Sequence, residues 1–328
     1  MQDWDIPLEN LIGYMSDNAN VIVGQHNSVL SRVHEQQPNV YHLGCVYHIA
    51  NTRVQHALKK MTSGVVDTFY YFLHCSKRKE EYQGFVDFVE LEDPGKLLKP
   101  CPTRWLSLHK CVKRSLVHWP ALKSYFDSQP EVEKKGSCVQ WCAFKIHDEV
   151  LYMTYLFLNY ILEPIIDFNT TFQANEAMVG YLHPEIKRFF KTMLSKFVKI
   201  RVITSATNVT KVDFKNPDNQ HDDDNLAVGM GVRQYLSSNP DINSKAVETF
   251  FNCTTQFRDL LQVWQVRRWK TNFKTCLAEE NELPTFNYGM TSMDSYWHDI
   301  YKTTNSHWTE TLSQPMCTGI RLPFPTTQ

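Results

Sequence analysis

Two short apolar runs near the amino terminus, each followed by a helical pattern, constrain the fold more than any other feature of the chain. Residues 10–16 read Asn-Leu-Ile-Gly-Tyr-Met-Ser and stop at Asp17, the pattern of a buried strand that delivers a polar residue at its carboxyl end. Asp17 and Asn18 can then cap a helix, because a short side-chain oxygen accepts a free N–H of the first turn. Val21, Val29, Leu30 and Val33 give that helix an apolar face, and Pro38 follows its end. Val40-Tyr41-His42-Leu43-Gly44-Cys45 reads as a second strand, and residues 46–60 as a second helix. The order strand, helix, strand, helix implies an α/β unit with parallel pairing.

Beyond residue 65 the signal is helical almost throughout. Residues 77–89 are amphipathic and charged, and Pro94-Gly95 marks a turn. Residues 103–126 read as a long helix capped by Thr103, which Pro120 is expected to kink or end. Residues 128–137 form a polar loop, and residues 148–172 and 184–202 two further helices. Residues 216–225, with Asp222-Asp223-Asp224, read as an acidic loop, and residues 244–277 as one more helix or a pair. The expected fold is an α/β fragment followed by a mainly α-helical region, predominantly helical overall.

Composition removes several classes of function. With 328 residues and 42% apolar residues the chain has material for a sizeable core. Nine cysteines are too sparse for a disulfide scaffold, so free thiols in a reducing compartment are expected. The start, Met1-Gln2-Asp3-Trp4-Asp5, places acids where a secretory leader carries positive charge. The Asn-x-Ser/Thr triplets at Asn169, Asn208 and Asn252 are therefore read as chance, and an intracellular location as the expectation. The most apolar stretch, residues 150–166, contains Thr154, Asn159, Glu163 and Pro164, whereas a membrane span needs about 20 cleaner residues. It reads as a buried helix, and no membrane partner is expected. Lys plus Arg total 34 against 35 Asp plus Glu, so any nucleic-acid contact must come from a local patch.

Three local patterns point to one family. They are Ser16-Asp17-Asn18-Ala19-Asn20 after the first strand, the Cys-x-x-His of Cys45 and His48 in 43–51, and Thr103-Arg104-Trp105-Leu106-Ser107. In this order and at these intervals they resemble the central part of hAT-family transposases and their domesticated relatives. The resemblance implies an RNase H-like core interrupted by a large helical insertion. It covers residues 11–126 well, and continues weakly to Ser292-Met293-Asp294-Ser295-Tyr296-Trp297, which is similar to the segment before the family's dimerisation region. The implied organisation is a partial RNase H-like core in 1–115, an all-α insertion region in 116–290, and a short remnant in 291–328 preceding a missing dimerisation region. The family cuts DNA with three acids that hold two metal ions about 4 Å apart. By resemblance Asp17 is the second acid. The first is expected upstream of Met1 and the third beyond Trp297, where no matching motif follows. With Asp17 the only surviving acid, no catalysis and no cofactor are expected.

Each candidate residue also has a plainer role. A lone carboxylate is a poor Mg²⁺ site, so Asp17 is read first as a strand terminus and helix cap. Cys45 and His48 could be half of a zinc site, with His42 or Cys75 as further ligands, but a closed site needs a second ligand pair and none is evident. Arg104 and Trp105 have two readings: phosphate contact with stacking, or packing of the indole with Arg104 on nearby carbonyls. Two basic clusters are the nucleic-acid candidates. Lys187, Arg188, Lys191, Lys196, Lys199 and Arg201 are read onto one helix, and Arg267, Arg268, Lys270 and Lys274 surround Trp269. Charge runs are as a rule solvated helix faces, which is the competing reading of both.

No Gly-rich nucleotide loop, P-loop or Gly-x-Ser-x-Gly is present, and Pro38 stands where a His-Glu-x-x-His needs its second ligand. No small-molecule substrate is evident. The expected function is that of a non-catalytic, transposase-like protein in the nucleus that acts through DNA or protein contacts. The alternatives are an active DDE transposase or nuclease whose acids lie elsewhere, and a protein-binding helical scaffold. Self-association is expected through the strand at residues 11–15, whose free edge would be apolar and flat.

Overall fold

Helix dominates the described residues, and the sheet among them is a single parallel pair. The computed structural model describes residues 11–45 apart from 12, 18 and 39, residues 76–98 apart from 92–94, residues 107–129, residues 138–173, and residues 181–266 apart from 208. The helix expected at 46–60, the Thr103 cap and the last helix beyond 266 lie outside these residues. Two compact units are present: Met1–Ile49 with Ala174–Ile186 and Gln265–Gln328, and Ala50–Gln173 with Lys187–Trp264. The boundary expected at 115–116 falls inside a continuous helix, Ser107–Ser128.

In the first unit β1 (Gly13–Ser16) pairs in parallel with β2 (Tyr41–Gly44), Gly13 opposite Tyr41 and Ser16 opposite Gly44. The ladder runs one bond further, as the Cys45 N–H donates to the Ser16 carbonyl at 2.7 Å. The single helix expected between the strands is two, α1 (Asn20–Val23) and α2 (Val29–Gln36). Gly24 is extended, and Ser28 starts a new helix with a capping box: the Ser31 N–H donates to Ser28 Oγ at 3.0 Å and the Ser28 N–H to Ser31 Oγ at 2.8 Å.

The second unit is mainly helical where described. It comprises α3 (Ser76–Phe88), α4 (Ser107–Ser128), α5 (Cys138–Ile146), α6 (Glu149–Ile161) and α7 (Glu163–Thr171). The chain passes from the first unit into the second within α8 (Leu182–Leu194), and α9 (Ile200–Ser205), α10 (Met230–Ser238) and α11 (Ser244–Val266) follow. Helix α4 continues through Pro120 rather than ending there. Pro120 lies on the exposed face, where water can satisfy the carbonyl that loses its partner, and buried Trp119, Ala121 and Leu122 hold the flanking turns. Tyr82 on α3 lies 2.6 Å from Nδ1 of the buried His118 of α4, whose Nε2 lies 3.1 Å from the Gly95 carbonyl. A ring protonated at Nε2 accepts from Tyr82 and donates to the Gly95 carbonyl, which ties α3 and Gly95 to α4.

The helix expected over 148–172 breaks after Ile161. Pro164 has no N–H to offer the carbonyl of Tyr160, so α7 restarts with Pro164 in its first turn. Asp148 caps α6 as a carboxylate should, accepting from Val150 N at 3.0 Å and Leu151 N at 3.3 Å. The core of this unit is aromatic. Phe157 is fully buried and meets Phe250 and Phe257 of α11 edge-on at 6.3 and 5.9 Å, while Phe168 stacks on Phe189 at 4.5 Å.

Asn169, the first residue of one glycosylation-like triplet, is only 1% exposed. Among the described residues its Oδ1 has no hydrogen-bond partner. An unsatisfied buried oxygen carries a desolvation penalty, so Asn169→Leu should leave the protein as stable or add about 1 kcal/mol. Thermal or urea unfolding checks it, and a loss above about 1 kcal/mol would show that the amide holds a bond that matters.

Candidate functional site

Two places gather the residues singled out by the sequence. The first is the carboxyl end of the strand pair. Ser16, Asp17, His42 and Cys45 come together there, because parallel strands deliver their last residues to one edge. Ser16 Oγ lies 3.1 Å from His42 Nε2 and donates to the Asp17 carbonyl at 3.0 Å. Asp17 is exposed, and its Oδ1 accepts from the Ala19 N–H at 3.0 Å. Ala19, not Asp17, is the N-cap residue of α1, so the carboxylate shapes the turn into the helix instead of capping it. Cys45 is buried. His48, Arg104 and Trp105 lie outside the described residues. Among the described residues no three His, Cys, Asp or Glu side chains are grouped as metal ligands.

Burial first, and the charge of His34 second, hold His42 below the usual histidine range. The proton therefore prefers the unfolded chain. His42 adds nothing to the pH dependence above about pH 6.5, and the strand pair weakens as pH falls below that value. The expected result is an NMR midpoint for the His42 ring below about 6.5, with Tyr14 and Met15 amides exchanging faster at about pH 5.5 than at about pH 7 after intrinsic correction. A midpoint above the usual value would contradict this environment.

The second place is a cationic face on α8 and α9. Residues 184–202 are not one helix as expected. The chain turns at 195–199, where Val198 bridges Gln220, the Lys199 N–H donates to the Asn219 carbonyl at 2.9 Å, and the His221 N–H donates to the Phe197 carbonyl at 3.0 Å. On α8, Ile186, Phe189, Phe190, Met193 and Leu194 are buried. At about 100° per residue, Lys187, Lys191 and Arg188 occupy the arc turned away from them. Arg188, Lys191 and Arg201 are exposed and Lys187 is half-buried.

Two cations of the expected set, Lys196 and Lys199, make defined contacts within the protein. Lys196 is 8% exposed, with its ammonium 3.8 Å from the centre of the Tyr160 ring, so it is a cation–π contact and no phosphate ligand. Gly229 keeps this spot open: its φ is +91°, and a Cβ there would come within 2.7 Å of Tyr160. Lys199 Nζ donates to the Asp218 carbonyl at 3.0 Å. Arg267, Arg268, Lys270 and Lys274 lie outside the described residues.

Sequence reasoning missed the open cavity beside the cationic face. It has a volume of about 250 Å³ and is lined by Lys191, Thr192, Ser195, Ile200, Ile203 and Thr204. No periodic signal announces it, because it exists only where the chain breaks between α8 and α9. No helix among the described residues is long and apolar enough to cross a membrane. No family model, no curated protein and no solved structure matches the chain.

Proposed function

We propose that this chain contacts nucleic acid through the cationic face of α8 and α9 and does not cut it. One observation carries the reading: Lys187, Arg188 and Lys191 share the side of α8 turned away from the core, with Arg201 in the first turn of α9. A cationic face on a rigid, core-anchored helix suits the phosphate contacts that supply most non-specific affinity. The motif resemblance extends this reading to an RNase H-like amino-terminal core, derivation from a hAT-type transposase, and residence in the nucleus.

A second reading, a protein-binding scaffold, has its own support in Phe88, Phe144 and Met230, large apolar side chains that are 70–81% exposed. Salt separates the two, because counterion release weakens a phosphate contact steeply and leaves apolar docking largely intact. For catalysis, incubation with labelled duplex DNA and Mg²⁺ or Mn²⁺ should give binding and no cleaved product. Cleavage that disappears in Asp17→Ala would show that the missing acids lie elsewhere in the chain.

A further inference from the structure

We infer that the cavity between α8 and α9 takes one unpaired adenine or cytosine, so that adenine- or cytosine-rich single strands bind in preference to thymine-rich strands and to duplex. This rests on the reading of the cationic face as a nucleic-acid contact. At about 250 Å³ the cavity is smaller than the roughly 300–1,000 Å³ of sites for drug-sized ligands, so it suits a fragment the size of one ring system. Ile200 and Ile203 supply branched aliphatic surface for a ring face. Ile200 is 63% exposed, an apolar side chain that gains from being covered.

The polar lining selects the edge of the ring. Ser195 Oγ donates to the Thr192 carbonyl at 3.0 Å, and Thr204 Oγ1 lies 3.1 Å from the carbonyls of Ile200 and Arg201. These hydroxyl hydrogens are committed to the backbone, and their oxygens remain as acceptors. A ring that brings N–H donors meets these two acceptors, while the Lys191 ammonium, itself a donor, is left to a flanking phosphate. Adenine and cytosine carry an exocyclic amine at the ring position where thymine and guanine carry a carbonyl. Lys191 lines the same cavity, with Arg188 and Lys187 on its face of α8 and Arg201 following Ile200, so cations stand where flanking phosphates would run. A duplex offers no free ring without unpairing and unstacking it.

The test is fluorescence anisotropy of the full chain with labelled oligo(dA), oligo(dC), oligo(dT) and a duplex of equal length at one low salt concentration. Oligo(dA) and oligo(dC) should bind about threefold or more tighter than oligo(dT) and the duplex, the scale of a modest base preference. Ile200→Glu should abolish that preference, and Lys191→Ala should weaken all strands alike; both residues are exposed, and unchanged thermal melts would confirm folding. Salt-sensitive binding with no preference among strands, or with the duplex preferred, overturns the cavity inference and leaves the cationic-face reading standing. No binding to any oligonucleotide, or tighter binding to a polyglutamate peptide, overturns both.

Discussion

Phe157→Ala should destabilise the helical unit by about 3–5 kcal/mol and lower its melting temperature by roughly 6–20 °C. Phe157 is fully buried on α6, where it meets Phe250 and Phe257 of α11 edge-on. Removing the ring exposes nothing to water and leaves a cavity that the surrounding helices can only partly close. The lost ring–ring contacts add to the transfer term, because each edge-to-face pair contributes about 0.5–1.5 kcal/mol beyond its area. Phe157→Leu, which fills most of the space, should recover the larger part. Calorimetry or urea unfolding measures both variants. A cost below about 1 kcal/mol for Phe157→Ala would mean that α6 and α11 do not pack as described.

The second large effect is on binding. Reversing Lys187, Arg188, Lys191 and Arg201 together to Glu should lower affinity for a single strand on the order of 100-fold at low salt, since attraction at each position becomes repulsion. None of the four is buried, and thermal melts of the variant separate lost charge from lost fold. Lys196→Glu belongs beside this variant as a contrast. It should unfold the Tyr160 contact and damage stability, because Lys196 is buried where the other cations are not.

How the sequence anticipated this arrangement depends on which force decided each element. Helix α3 falls within a residue of its expected bounds, and the chain turns directly after it at 89–90, where Glu90 has a φ of +52°. The parallel pairing of β1 and β2 was legible from two apolar runs that each end at a polar or small residue. Helix α5 was missed although Val139, Cys142, Ala143 and Ile146 repeat at three and four residues, a signal that was present and readable. The break at 195–199 was not readable in that sense. No Gly or Pro marks it, and what bends the chain is the loop at 217–221 pairing with it from far along the sequence.

Lys196 shows the same limit from the side of the site. Counted as a basic residue it belongs with Lys191 and Lys199. Placed on the phase of α8 it falls within about 20° of buried Phe189, so helical geometry already set it apart from the exposed cations. What geometry could not supply is its partner, because Tyr160 arrives from α6. Asp17 was read as a strand terminus and a helix cap; the strand ends at Ser16 beside it, and the cap position falls two residues later on Ala19.

The central claim is that a small set of cations on α8 and α9 meets phosphates, and the salt dependence of binding tests it most directly. With about four contacts to a single strand, log affinity against log salt should be linear with a slope near −3, at roughly −0.7 per phosphate neutralised. Lys191→Ala should reduce that slope by about 0.7, and Lys196→Ala should leave it unchanged where the variant still folds. A slope near zero, or one that responds to Lys196→Ala and not to Lys191→Ala, would contradict the account.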